Sequence, residues 1–255
     1  MQLNQTIGSL YNQVFSITTR VLLQHALVDY YALDQTPDTR FPDAYSDLNT
    51  AIGTQTSLYA GRVYDNSFNL LPNLTISDVN YEFPSSLIPT AAPPPPLAGM
   101  VNTSGELLGP VAVPAAPGTY AFSITIPILN VNTSSSPPQL GYLSIIVTAS
   151  GLQRAVNDTT GMGQTGQLLV VAKNGSHYDV VLPPARTPSV YEVDIYPGQY
   201  PAIDLAFKNK TGFLINTHNA FGAAVSVGYT VHPFYWIICL LEVSCLTICG
   251  MGHSG

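Results

Sequence analysis

Gly161-Met162-Gly163-Gln164-Thr165-Gly166 spells G-x-G-x-x-G, the spacing with which a strand-to-helix loop cradles a pyrophosphate. That chemistry needs a strand before the loop and a helix after it, so that the helix N-terminus faces the phosphates. Here the residue pattern predicts a helix before and a strand after, and no cofactor site is expected. Ala224-Val225-Ser226-Val227-Gly228 resembles a nucleophile elbow with Ala in first place. An elbow serine sits on a sharp turn into a helix, whereas Ser226 lies within the alternation Val225, Val227, Tyr229, Val231 and reads as an outward strand serine. His25, His177, His218, His232 and His253 are scattered, without His-Glu-x-x-His or a comparable pair, and read as ordinary surface or core histidines. Cys245, Cys249 and His253 recur every four residues and would share a helix face suited to zinc if the tail were helical and reduced. Asp43 and Asp47 stand one turn apart on a predicted helix. Such a pair can bind metal or move protons, but in a first turn it more simply complements the helix dipole. Arg62 is the only basic residue between Arg40 and Arg154; it could meet a ligand carboxylate or simply occupy a surface strand. No catalytic, cofactor-binding or metal-ligating residue is assigned, and the chain is not expected to be an enzyme.

The chemistry that does recur is modification. Asn-x-Ser/Thr begins at Asn4, Asn73, Asn102, Asn132, Asn157, Asn174 and Asn209, seven of fifteen asparagines. These N-glycosylation candidates suggest passage through a secretory lumen. Composition agrees, since only 9% of residues are charged, against roughly 25% in typical soluble domains. The net charge of −7 argues against a nucleic-acid partner, whose phosphates would be repelled. All three cysteines, Cys239, Cys245 and Cys249, fall in the last 17 residues, so the main body carries no disulfide framework. Met1 to Arg20 has neither a basic n-region nor an apolar h-region, so it is not a signal peptide. A membrane anchor upstream of Met1 is expected instead.

The elements follow from periodicity. Leu3, Ile7, Leu10, Val14, Ile17 and Val21 form a heptad stripe. It predicts a helix of about 30 residues, about 45 Å long, which either pairs with a second copy or lies along its own domain. Asp43 to Leu58 predicts a second helix. Leu58 to Asp65 and Phe68 to Leu71 read as paired strands across an Asn66-Ser67 turn. Pro72 to Pro117 reads as a Pro-rich exposed excursion. Tyr120 to Ile128 and Leu140 to Ala149 alternate as an antiparallel pair. A short helix from Ser150 and a strand from Leu168 to Ala172 then form a hinge between two α+β units. Tyr178 to Leu182, Ala202 to Phe207 (helical), Gly212 to Asn216 and Val225 to Val231 follow. Phe234 to Cys249 is a 16-residue apolar run containing Glu242, short of the roughly 20 residues of a bilayer span; its first half could continue the sheet as a final strand, while its second half looks unrelated to what precedes it.

GYLSIIVTASGLQRAVNDTT, from Gly141 to Thr160, resembles the extracellular sensor region of fungal osmosensing hybrid histidine kinases of the Sln type. The likeness extends back to Arg62-Val63-Tyr64-Asp65-Asn66-Ser67-Phe68-Asn69. It runs forward through Tyr178-Asp179-Val180-Val181-Leu182-Pro183-Pro184, Ala206-Phe207-Lys208-Asn209 and Ala224 to Tyr229. The resemblance implies an α+β, double Cache-like fold with antiparallel sheets. It divides the chain into an N-terminal signalling helix, 1–35, a membrane-distal module, 36–157, with a Pro-rich insertion at 84–117, a membrane-proximal module, 158–238, and an atypical Cys-containing tail, 239–255. It also implies two flanking spans, a cytoplasmic kinase core and a receiver domain, none of which lies in these 255 residues. The expectation is an extracellular sensory domain at the plasma membrane, homodimeric through its first helix, with an unknown small-molecule ligand or none. The alternative is a secreted or cell-wall adhesin, and a third reading places a compact ligand pocket in the first module.

Overall fold

The computed structural model describes residues 2–33, 40–77, 85–93, 105–113, 119–130, 138–158, 160, 166–174, 176–182, 194–208, 210–219, 222–231 and 237–244. The described residues form two compact units that divide between Gln153 and Arg154.

The first unit opens with two helices where the heptad stripe predicts one. Helix α1 (Gln2–Thr18) stops, Arg20 takes an extended backbone, and α2 (Val21–Ala32) begins. The cause is local. Ser16, Thr18 and Thr19 turn their hydroxyls back onto the carbonyls of Gln13, Phe15 and Ser16, competing with the helical ladder at the β-branched run Ile17-Thr18-Thr19. The buried Gln24 amide then donates to the Thr18 carbonyl at 3.0 Å, satisfying a group the break exposes. Leu10, Val14 and Ile17 are buried, with α1 against β4 and β5, while Val21 is 61% exposed. The stripe therefore serves the unit's own core as far as the break. Helix α3 (Phe41–Gly53) buries Phe41, Ala44, Leu48, Ala51 and Ile52, one stripe at helical spacing.

These helices cover one face of a five-stranded antiparallel sheet in the order β2-β1-β5-β4-β3. Its strands are β1 (Leu58–Tyr64), β2 (Leu70–Ile76), β3 (Glu106–Ala112), β4 (Tyr120–Leu129) and β5 (Gln139–Thr148). The central pair β4 and β5 is where the alternation predicts it. Two readings are corrected. The partner of β1 starts at Leu70 rather than Phe68 and carries Pro72, tolerable because β2 is an edge strand. The Pro-rich stretch contains β3, the other edge, with a bulge between Leu108 and Val111 around Gly109-Pro110.

The second unit repeats the same strand order. Strands β6 (Gln167–Asn174), β7 (His177–Leu182), β8 (Gly212–His218), β9 (Ala224–Val231) and β10 (Ile237–Ser244) assemble as β7-β6-β10-β9-β8. Helix α4 (Ser150–Asn157) precedes β6, and α5 (Pro201–Ala206) packs on this sheet through Ala202, Ile203 and Ala206, beside Leu169, Val171, Tyr178, Val225 and Val227. Strand β10 corrects the boundary drawn at 238/239. It is the middle strand, hydrogen-bonded to β6 on one side and β9 on the other, so Cys239 belongs to the sheet. No described helix is long and apolar enough to cross a membrane.

Candidate sensory face of the first unit

The face of the first sheet that the helices leave free is built in three rungs, because residues directly paired across antiparallel strands point the same way. The middle rung crosses all five strands: Thr75, Arg62, Ser144, Thr125 and Glu106 are paired in succession. Thr125 and Ser144 are buried and their hydroxyls are 3.1 Å apart. Glu106, at the end of the rung, has its carboxyl pKa raised by burial. To one side lies an apolar rung, Ala60, Ile146, Ser123 and Leu108. Leu87, from the 3₁₀ turn Ser85–Leu87, packs on Ala60, Ala121 and Ile146 together with Val113. The Ser123 hydroxyl is buried there without a hydrogen bond among the described residues.

The third rung is aromatic. Tyr64 pairs with Tyr142, and Phe68 stacks on Tyr64 with centroids 4.4 Å apart and meets Tyr142 edge-on at 5.3 Å. Phe68 holds φ at 62°, which costs energy in a residue with a side chain and must be held by its surroundings. The holder is Asp65, itself buried. Its carboxylate accepts from the amides of Ser67 and Asn69, both at 2.8 Å, and from the Asn69 side chain at 3.0 Å. The Tyr31 hydroxyl at the end of α2 donates to the Leu140 carbonyl (3.0 Å) and accepts from the Asn66 amide (2.8 Å). Helix, hairpin turn and central strand are thus joined at one oxygen. The Tyr64 hydroxyl makes no hydrogen bond of normal geometry among the described residues. Burial raises its pKa, and the nearby Arg62 guanidinium only partly opposes this.

Leu87-Ile88-Pro89 pack over this face beside Arg62 and Ser144, and the gap between them leaves no room for a water molecule. Ligand sites usually enclose about 300 to 1,000 Å³. Among the described residues this gap falls far below that, and Arg62 stands there as a strand residue over a packed face.

The other candidates scatter. Asp47 pairs with Arg20 and Asp43 remains in the first turn of α3, 4 positions earlier, so they form no shared site. The G-x-G-x-x-G glycines fall between α4 and β6, the reversed order, with 161–165 outside the described residues. Ser226 lies within β9. Cys245, Cys249 and His253 lie outside the described residues, as do Asn102, Asn132 and Asn209. Asn4 falls in α1 and Asn174 ends β6, while Asn73 in β2 and Asn157 at the end of α4 are exposed. The rungs themselves escape sequence reasoning, since paired neighbours of the middle rung alone are 13 to 82 residues apart and only the register unites them.

The fold resembles that of solved extracellular sensor domains. The extracellular domain of the histidine kinase candidate mmHK1S-Z3 superposes with a TM-score of 0.54 at 14% identity, over 95% of this chain and 89% of that one. The periplasmic sensory domain of the Campylobacter jejuni chemoreceptor Tlp1 gives 0.51 at 11%, over 95% and 90%. In sequence, the chain is similar to the osmosensing histidine protein kinase SLN1 of Saccharomyces cerevisiae, 28% identical over 246 residues. That match takes in 91% of this chain and spans 20% of the yeast protein's length. No family model matches the chain.

Proposed function

We propose that this chain is the extracellular sensory portion of a fungal phosphorelay histidine kinase that responds to osmotic state and passes a conformational signal across the membrane. The sequence likeness to an osmosensing kinase over nearly the whole chain carries the reading. A first sheet face that is packed among the described residues suits a mechanical input better than a diffusible ligand. The unit is pinned at Tyr31, Asp65 and the Arg20–Asp47 pair, so small displacements of α1 and α2 are transmitted rather than absorbed. The first unit is the membrane-distal module and the second the membrane-proximal one. The signalling state is a homodimer. Because Leu10, Val14 and Ile17 face the unit's own sheet, the partner copy packs on the outer side of α1, where Ser9, Asn12, Phe15 and Ser16 are exposed.

A secreted wall adhesin would share the sequons and composition but has no need of two sheets of identical strand order. Epitope-tagging the chromosomal gene separates the two. The sensor reading expects the product in detergent-extractable membranes, shortened by endoglycosidase and open to protease on intact cells. Release from cell walls by glucanase, without membrane association, would establish the adhesin instead.

A further inference from the structure

The second unit brings together three metal-type ligands that are separated in the chain. His177 and Asp179 alternate on the edge strand β7, and residues 194–196 return along its free side. There Tyr178 and Ile195 exchange both backbone hydrogen bonds, at 2.8 and 3.0 Å, in an antiparallel bridge. The pairs flanking such a bridge are the close, non-hydrogen-bonded ones. Asp179 therefore stands across from Asp194, and His177 across from Tyr196. Tyr178 and Ile195 point into the core beside α5, so the His and both Asp side chains occupy the opposite face. Two carboxylates directly opposed across strands repel each other, and a cation bound between them beside the His177 imidazole offsets that repulsion. His177 Nε2 lies 3.1 Å from an Asp179 oxygen and 3.8 Å from an Asp194 oxygen, and one ligand atom of each residue falls within 4.8 Å of the others. Ligand atoms about 2.0 to 2.2 Å from a tetrahedral ion are about 3.3 Å apart, between the two observed spacings.

We propose that His177, Asp179 and Asp194 form a site for a first-row divalent ion of the zinc type. One imidazole nitrogen with two carboxylates suits such an ion better than calcium or magnesium, which prefer oxygen throughout. Three protein ligands leave a position for water or for a group from elsewhere. The ion ties β7 to residues 194–196, ahead of α5.

The test uses the full chain without an affinity tag, stripped with a chelator, and titrates Zn²⁺ by calorimetry at pH 7.5. A variant with Cys245, Cys249 and His253 all changed to Ser removes the ligands of the tail. One equivalent should bind in both proteins and raise Tm. His177→Ala and Asp194→Asn should weaken it at least tenfold and abolish the Tm shift. Without metal, Asp194→Asn should melt no lower than the parent, because it relieves repulsion; this keeps the test valid if His177→Ala folds poorly. Absence of binding, binding unaffected by Asp194→Asn, or binding lost only with the tail ligands would overturn the site. So would a drop in metal-free Tm in Asp194→Asn, the mark of a protonated His177 clasp with no ion.

Discussion

Arg20 and Asp47 join in a two-pronged ion pair, with Nε 2.7 Å from Oδ2 and Nη2 against Oδ1, that fixes the break between α1 and α2 onto α3. The arginine lies at the one extended residue between two helices, so the pair sets the direction in which the chain leaves α1. Its hydrogen bonds hold the Asp47 carboxyl below the usual aspartate range.

Asp47→Asn should therefore lower unfolding free energy by about 1 kcal/mol, the worth of a well-aligned but partly exposed pair. A carboxyl whose folded pKa is depressed stabilises the fold above its unfolded pKa and loses that effect as pH falls through the folded value. Urea titrations of parent and variant should differ at pH 7 and converge only once the pH has fallen below the usual aspartate range and Asp47 is protonated in the folded state.

Gly141 begins the resemblance-bearing stretch, and its backbone explains why glycine stands there. Its φ is +151°, and an added Cβ would lie 2.2 Å from the Tyr64 carbonyl oxygen across the β1–β5 pair. Gly141→Ala should cost more than about 3 kcal/mol, through strain and loss of that approach. Chemical denaturation, or failure to accumulate folded protein, would register it.

Two of the buried hydroxyls of the free sheet face should behave oppositely. Thr125→Val removes a bond to Ser144 and leaves that serine unpaired, at a cost of about 1 to 2 kcal/mol. Ser123→Ala deletes a hydroxyl that has no partner among the described residues and should be neutral within about 0.5 kcal/mol or slightly stabilising. Paired denaturation curves decide.

Phe15 is 41% exposed on the outer side of α1. If copies associate there, Phe15→Asp should shift the sedimentation of concentrated or membrane-tethered protein toward monomer while leaving its Tm within a few degrees. Unchanged association would move the partner surface off α1.

Much of the fold was legible wherever burial alternates. β4 and β5 are visible in the sequence, as are the β6–β7 hairpin at Asn174-Gly175, α5 and β9. The helix break was hidden because the apolar stripe runs through Thr18-Thr19, and what stops the helix is hydroxyl competition rather than loss of pattern. β3 was hidden by Gly109-Pro110, which reads as a loop. β10 was legible only as one option, the first half of the Phe234–Cys249 run, because a short continuous apolar run is equally a buried strand or part of a helix. Its central place in the sheet is a matter of tertiary pairing. For the site, His177 and Asp179 alternate visibly, but Asp194 joins them only through the Tyr178–Ile195 bridge.

The central claim is that this chain receives osmotic input for a kinase. It is tested most directly by grafting residues 1–255 into the yeast osmosensing kinase in place of the segment they match, and following phosphorelay output through a hyperosmotic shift. The graft should reach the cell surface and change its output within minutes of the shift, as the parent does, and Gly141→Ala should abolish that response. A graft that is folded and at the surface, yet holds one output at every osmolarity, would contradict the claim.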